Sequence, residues 1–437
     1  MFGSRRGDWR EDGKKKHLVL KILVWGINYA PELTGIAPCN VALCECLRAH
    51  GHDARMLTTF AYYPNWKKLP ADRGRIYRDD VLNGVPVHRC WHYVPARVSA
   101  PKRILHEGSF VLSSAWRALS HLPRPDVLVV VSPPLLLGAA AWTLTRLWGG
   151  KTPFVFHVQD LQPDAAVGLG MLKPSLLTRA LYGLEAFAYR QAARVSGISQ
   201  GMLRAFAQKG VPEKKRVLFP NGLAPLDPAT LPARGQWRAR HGFAAEDFLA
   251  VYSGNLGVKQ GLETVLAAAG KVSQPHVKIV LCGGGAQRDK LAAWLDAHQP
   301  ANVRLLPLQD DAAYREMMVD TDLALITQAP GTGQFFFPSK MLSALAFARP
   351  VLAVADADSE LAHAVRAGGF GSVVPASAEP AALAAALDRA ATLRASDLQK
   401  LADAARADGA RFDREKVHAA FLAVLSQVAA EAGGSRR

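Results

Sequence analysis

Cysteine is scarce and poorly spaced for structural work. The chain has five in 437 residues, Cys39, Cys44, Cys46, Cys90 and Cys282, an odd number without a Cys-x-x-Cys pair. That excludes a disulfide framework and a structural zinc cluster, and it fits a reducing compartment. Paired Cys/His finger spacing, an RNP-like aromatic strand and a basic zipper helix are all missing, so nucleic acid is not the expected partner. The chain also lacks an unbroken long hydrophobic run. Its longest, Val127 to Leu147, is interrupted by Ser132-Pro133-Pro134 and Gly138, which reads as a strand and a helix joined at prolines rather than as a membrane span. The opening Met1 to Lys16 is polar and basic with no apolar centre, so it does not read as a secretory signal. It reads instead as a disordered arm or as a start placed too early.

Negative charge is what the first half lacks. The net charge is +16 overall; residues 1–17 carry +3, residues 18–222 carry +13, and residues 223–437 carry none. A basic half of this kind invites an anionic membrane face or a phosphorylated substrate, although a merely solvated basic surface gives the same count. The start of one helical segment, Pro101 to Leu119, pairs Lys102 and Arg103 with an apolar stripe, as a helix lying in lipid headgroups or packed on its own sheet would.

Glycine loops are what the chain does have. Leu249 to Gly261 runs from a β-branched and aromatic strand into Gly254-Asn255-Leu256-Gly257-Val258-Lys259-Gln260-Gly261, and a helical pattern (Leu262, Val265, Leu266, Ala269) follows at once. A strand, a glycine loop and a helix start together present unpaired backbone N–H groups and a positive helix end, suited to a phosphate with Lys259 reaching across it. Ile22 to Gly35 repeats the arrangement near the N-terminus. Two such loops in one chain favour two domains, each opening with a phosphate-type turn. Neither matches Gly-x-Gly-x-x-Gly, which argues against a nicotinamide dehydrogenase.

Later stretches add candidate groups. The strand Phe154 to Val158 carries His157 and runs on to Asp160 and Asp164, side chains aimed at the crevice beyond a parallel strand's carboxyl end. Gly283-Gly284-Gly285 follows another strand, where a base or ribose can approach the backbone. The loop Gly331 to Pro338 opens a helix at Ser339 with Lys340. In the second half strands are expected at 248–254, 276–282, 303–308, 323–328 and 350–355, separated by helices and followed by helices to the end. Strict alternation implies a doubly wound parallel sheet. The expected division is a disordered basic arm over 1–17, a first Rossmann-like domain over 18–222, a proline- and glycine-rich linker over 223–246, a second domain over 247–410, and a C-terminal helix and tail over 411–437.

Tyr29-Ala30-Pro31-Glu32-Leu33-Thr34-Gly35, His157-Val158-Gln159-Asp160, Tyr252 to Gly257 with Lys259-Gln260-Gly261-Leu262-Glu263, and Pro338-Ser339-Lys340 together resemble the retaining GT-B enzymes of glycosyltransferase family 4. The resemblance covers about residues 18–430 and implies an α/β GT-B fold of two facing Rossmann-like domains with a C-terminal crossover helix. It implies a nucleotide diphosphate sugar donor in the second domain and a lipid-pyrophosphate-linked sugar acceptor in the first. It further implies a protein peripheral on the inner face of the cytoplasmic membrane, working without a cofactor or metal. Lys259, Lys340 and backbone N–H groups near Gly35 and Gly254 would stabilise the leaving diphosphate, and His157 would hold the donor sugar. Asn255, Gly283, Gly284, Ser339 and Ser343 fall at donor positions. Glu32, Asp160, Asp164, Lys102 and Arg103 are acceptor-side candidates.

The chain departs from the wider family in places. Phe335 and Ser343 occupy the positions of a Glu-x7-Glu pair that reads sugar and ribose, and Asn255 stands where an arginine is common, which leaves sugar choice open. Asp356-x-Asp358 follows a late strand and reads as a loop rather than a metal motif. A nucleotide-sugar epimerase or a non-catalytic scaffold would share the architecture, but an epimerase needs carboxylates where Phe335 and Ser343 stand.

Overall fold

The computed structural model describes residues 9–12, 15–33, 35–97, 99–168, 175–224, 226–333 and 339–434. The chain divides into two compact units: the first takes in residues up to 167, those from 175 to Asn221, and Glu415 onward, and the second runs Gly222–Arg414.

The first unit opens on β1 (Trp9–Asp12) and β2 (Lys15–Leu18), paired antiparallel with Asp12 opposite Lys15. Where a disordered arm is expected, residues 9–12 and 15–18 therefore form a paired antiparallel ribbon. β3 (Lys21–Trp25), α1 (Ala37–Ala49) and β4 (Asp53–Thr59) follow, then β5 (Tyr77–Leu82) and β6 (Val85–Cys90). Next come α2 (Ala100–His121), β7 (Val127–Ser132), α3 (Leu137–Leu147), β8 (Phe154–Val158) and α4 (Gln162–Gly168). α5 (Leu176–Gln191), β9 (Arg194–Gly197), α6 (Gln200–Gln208) and β10 (Arg216–Leu218) complete the run.

These strands form one sheet ordered β10-β9-β8-β7-β3-β4-β6-β5, parallel except at the β5 edge. The strand β5 was not anticipated, because its Asp79-Asp80 pair breaks the apolar alternation. Asn83-Gly84, with φ of +49° and +75°, turns it back on β6 as a two-residue hairpin. The interrupted run Val127 to Leu147 is β7 followed by α3, and every residue of β7 is buried, as a central parallel strand covered on both faces requires.

The second unit begins with α7 (Gln236–Arg240), then β11 (Phe248–Ser253), α8 (Leu262–Ala269), β12 (Val277–Cys282), α9 (Arg288–His298) and β13 (Val303–Leu306). α10 (Asp311–Asp320), β14 (Leu323–Thr327), α11 (Ser339–Ala346), β15 (Val351–Ala355) and α12 (Glu360–Gly368) continue it. β16 (Gly371–Pro375), α13 (Pro380–Ala391) and α14 (Ala395–Gly409) close it. Its sheet is wholly parallel, ordered β13-β12-β11-β14-β15-β16. The strand β16 lies where only helices are expected; it starts on glycine and ends on proline, both poor strand signals, and forms because β15 offers it a partner edge.

Residues 223–246 do not behave as a linker. Trp237 is fully buried with Phe243 against Leu249 and Val251. The guanidinium of Arg238 donates to the Ala245 and Asp247 carbonyls at 2.8 and 3.0 Å and to Asp322 Oδ2 at 3.2 Å. The chain then returns to the first unit as α15 (Arg414–Gly434), burying Val417, Phe421, Leu425 and Val428 in the first unit's core, with Phe421 stacked on Phe219 at 3.8 Å between ring centroids. Among the described residues α15 alone is long and apolar enough to cross a membrane by length and composition, and its apolar face is occupied by that core.

Candidate functional site

In each of the two large sheets the strand order reverses beside that sheet's first strand: between β3 and β7, and between β11 and β14. Loops at the carboxyl ends of strands flanking such a point are where α/β sheets hold ligands. In the second unit the loop after β11 carries Gly254, Asn255 and Lys259, the neighbouring loop after β12 carries Gly283 and Gly284, and α11 brings Lys340 over Gly254.

Backbone geometry explains the glycines. Gly254 has φ of +138°, and a Cβ there would lie 2.6 Å from Lys340 Cε and 3.1 Å from its Nζ, so the lysine passes directly over the bare glycine. Gly283, with φ of +152°, sits so close beneath the same loop that a Cβ would be 1.8 Å from the Gly254 carbonyl oxygen. Hydrogen bonds lock the two loops: Gly254 N to Cys282 O at 2.9 Å, Leu256 N to Gly284 O at 2.8 Å, and Gln287 N to Leu256 O at 2.9 Å. The Tyr252 hydroxyl donates to the Asn255 carbonyl at 2.6 Å. Beside Gly284 the space is open, with nothing within 4 Å of where a Cβ would be.

Lys340 Nζ lies 4.9 Å from the centroid of the Tyr252 ring, and no carboxylate pairs with it among the described residues. Burial and then the charge of Lys259 push its pKa down to about 8. Lys259 sits on the turn Val258–Gln260, its carbonyl accepting from Ala329 N at 2.8 Å, which ties the loop after β11 to the loop after β14. Two neighbouring cations at a glycine loop, one of them half buried over an aromatic face, form a site that an anion relieves. Sequence reasoning missed Tyr252 as the platform under Lys340 and Arg288, whose guanidinium holds the Gly283 and Leu306 carbonyls at 2.8 and 3.1 Å. An aromatic residue two positions before Gly254 was the available signal.

Ser343 stands one turn further along α11, beside Tyr314 of α10. Phe335 lies outside the described residues. Asp356 accepts from Gly331 N at 2.8 Å and so braces the loop before α11.

The first unit rearranges several expectations. His157 is 1% exposed, and both of its ring nitrogens are engaged: Gln159 Nε2 donates to Nε2 at 2.8 Å, so Nδ1 carries the proton and donates to Ser196 Oγ at 3.0 Å. Gln159 in turn exchanges two hydrogen bonds with Asn221, at 3.0 and 3.1 Å. His157 thus fixes the loop after β8 instead of presenting a free nitrogen. Glu32 is also committed, its Oε1 accepting from the Tyr62 and Tyr63 amides at 2.8 and 2.9 Å and its Oε2 from Asn28 at 2.8 Å. This carboxylate clamps the loop after β3 to the loop after β4. Asp164 forms an ion pair with Lys209, which also meets Glu185 at 2.5 Å. That pairing places Asp164 in the framework between α4, α5 and α6, not at an acceptor.

Asp160, Gly35, Lys102 and Arg103 remain exposed at the surface of this unit. Arg103 reaches Glu107 at 3.2 Å.

Burial pushes the His157 pKa down to about 3. A histidine depressed in the folded state stabilises above its unfolded pKa, and that contribution is lost as pH falls from about 6.5 toward 3. Urea unfolding followed at pH 7 and pH 5 is expected to show a lower unfolding free energy at pH 5, by up to about 1.4 kcal/mol per pH unit below about 6.5 from this ring. The variant His157→Gln is expected to show a smaller drop; an equal drop would mean another group carries the acid sensitivity.

Comparison with known proteins agrees with this geometry. Residues 34–222 match the Glycosyl transferase 4-like domain and residues 233–408 match Glycosyl transferases group 1. The chain is 31% identical over 348 residues to WcaI of Escherichia coli (strain K12), named a colanic acid biosynthesis glycosyl transferase, covering 78% of this chain and 85% of that one. It is 26% identical over 313 residues to the glycosyltransferase WbjE of Pseudomonas aeruginosa, covering 69% and 76%. Among solved structures, Anabaena Alr3699/HepE in complex with UDP superposes with a TM-score of 0.67 at 18% identity, covering 93% of this chain and all of that one. Two such domain matches in order, two parallel α/β units and the extent of the likeness to WcaI lead to one conclusion: the chain belongs to family 4 of the glycosyltransferases and has the GT-B fold.

Proposed function

We propose that the protein is a retaining, metal-independent hexosyltransferase. It moves a sugar from a nucleoside diphosphate sugar to a lipid-pyrophosphate-linked oligosaccharide during exopolysaccharide assembly, at the inner face of the cytoplasmic membrane. The observation that carries this reading is Lys340, which lies over Gly254 and Tyr252 beside the charge of Lys259 and itself meets no carboxylate among the described residues. Such a pair suits a diphosphate. The name of WcaI favours a polysaccharide pathway, and the UDP in complex with HepE favours a nucleotide-containing ligand.

In this scheme the acceptor hydroxyl forms a bond to the anomeric carbon on the face from which the diphosphate departs. The bond from that carbon to the diphosphate oxygen breaks, and the same oxygen takes the hydroxyl proton, so the products are a glycoside and a nucleoside diphosphate. The chain supplies no nucleophile. Its part is to hold the leaving diphosphate with Lys259, Lys340 and the loop amides, where negative charge grows in the transition state. His157 acts by holding the Gln159 and Asn221 pair in place.

Membrane attachment rests on α2. Leu105, Leu112, Trp116 and Leu119 fall on one side of this helix and are all solvent-exposed, Leu112 at 75% and Trp116 at 62%, with Lys102 and Arg103 at the same end as Leu105. An exposed apolar stripe beside cations suits an anionic headgroup layer, in keeping with the basic first half of the chain.

The direct test incubates the protein with membranes and a panel of radiolabelled nucleotide sugars. Label entering the lipid extract is the expected result; label remaining soluble as free sugar or as an isomer of the donor would overturn the proposal. A second test uses Lys340. Because the diphosphate needs its amine protonated, UDP affinity measured calorimetrically is expected to weaken as pH rises through about 8, by up to tenfold per pH unit. A flat profile from pH 7 to 9.5 would detach Lys340 from the site.

A further inference from the structure

The strands β3, β4 and β6 run parallel, so the loops that leave them emerge at one edge of the first sheet. The loop after β4 carries Tyr62 and Trp66, the segment after β6 carries His92, and α2 contributes His106. Their rings pack together. Tyr62 lies 5.0 Å from His92 and 4.6 Å from His106 between centroids, the two imidazoles are 5.1 Å apart, and Trp66 stands 5.5 Å from Tyr62 and 5.0 Å from His106.

This cluster is chemically unfinished. His92 and His106 are 0% and 1% exposed, yet among the described residues neither ring nitrogen of His92 and not the Nε2 of His106 meets a hydrogen-bond partner. Leaving a buried polar atom unpaired costs about 1–3 kcal/mol, and native cores seldom do so twice within one ring contact. His106 Nδ1 is 2.5 Å from the Tyr93 carbonyl, so its proton is on Nδ1 and its Nε2 offers a bare lone pair. Burial first, with the charge of Lys68 adding to it, holds both imidazoles below their usual range, so both are neutral near pH 7.

Trp66 is the member nearest solvent, partly exposed while the other three are buried. Its φ is +51°, a left-handed conformation that strains a bulky residue and that collects at ligand sites.

We propose that Tyr62, Trp66, His92 and His106 form a pyranose subsite for the acceptor saccharide, in which a sugar hydroxyl donates to His106 Nε2 and the aromatic rings cover a C–H face of the ring. The proposal rests on the reading of a saccharide acceptor given above and adds the residues that select it. The chemistry favours a sugar over a phosphate. A lone pair on a neutral imidazole accepts from an O–H, whereas an ionised phosphate brings only further lone pairs, and ring faces pair with C–H surfaces. Entry requires the Trp66 indole to move aside.

The test uses the full-length protein with ¹⁵N-labelled histidine and a panel of methyl pyranosides at millimolar concentration, with inorganic pyrophosphate as the anionic control. His92→Phe and His106→Phe assign the two ring signals. At least one pyranoside is expected to shift both Nε2 signals. In transfer assays the same variants, and His92→Gln as a polar replacement, are expected to raise the acceptor KM about tenfold or more while the dissociation constant for UDP stays as in the parent. A shift with pyranosides in a protein that transfers nothing would support the subsite and count against the transferase reading alone. If no pyranoside moves the signals, if pyrophosphate moves them instead, or if the folded variants keep the parent acceptor KM, the subsite is overturned.

Discussion

Lys340→Ala and Lys259→Ala are each expected to lower turnover by about a hundredfold or more. The expectation follows from where the two amines are held. Lys340 lies across Gly254 and over the Tyr252 ring, half withdrawn from water, and the neighbouring Lys259 charge helps depress its pKa to about 8. Folding thus keeps the Lys340 cation where no carboxylate among the described residues pairs with it, a cost that a structural role would not explain. A diphosphate gains charge as its bond to the sugar breaks, so in the proposed transfer these amines would stabilise the transition state more than the bound donor. Removing either should lower kcat together with kcat/KM and raise the donor KM less. Steady-state kinetics across donor concentrations make the check, and variants with the parent rate would remove these lysines from the chemistry.

Gly283→Ala should be the most damaging single-methyl change in the second unit. A Cβ there falls 1.8 Å from the Gly254 carbonyl oxygen, which is main chain and cannot swing away, and the φ of +152° is one that alanine rarely adopts. Both penalties act at once, so the loss of unfolding free energy should exceed about 3 kcal/mol. UDP binding should go with it, because the Gly254 loop that must shift is the loop crossed by Lys340. Gly284→Ala is the control. The adjacent position has open space around it, and its stability should stay within about 0.5 kcal/mol of the parent. Paired urea titrations of the two variants decide the matter; equal behaviour would refute the close approach of the two loops.

The second unit was the more legible half of the chain. A strand breaking into Gly254-Asn255-Leu256-Gly257 with a lysine two residues later states its geometry locally, and Lys340 was found by the same rule of a lysine at a helix start. What the sequence hid were features fixed by partners distant in the chain. Asp164 looks like a crevice carboxylate until Lys209 and Glu185 fold onto it. His157 looks available until Ser196 and Gln159 take its two nitrogens. Glu32 finds its role only when the Tyr62 and Tyr63 amides arrive from the next loop. His92 and His106 gave no signal, being isolated histidines in unrelated segments that meet only across a folded sheet edge. The proline- and glycine-rich stretch after Asn221 misled in the opposite direction, since composition says linker while the buried Trp237 and Arg238 say core.

The central claim is that the glycine loops of the second unit grip a nucleoside diphosphate. Hydrogen–deuterium exchange with and without saturating UDP or GDP tests it directly. Protection is predicted in peptides spanning Gly254–Gly261, Gly283–Gln287 and Ser339–Ala346, and it should be lost in Lys340→Ala. Protection confined to the first unit, or none with either nucleotide, would contradict the account.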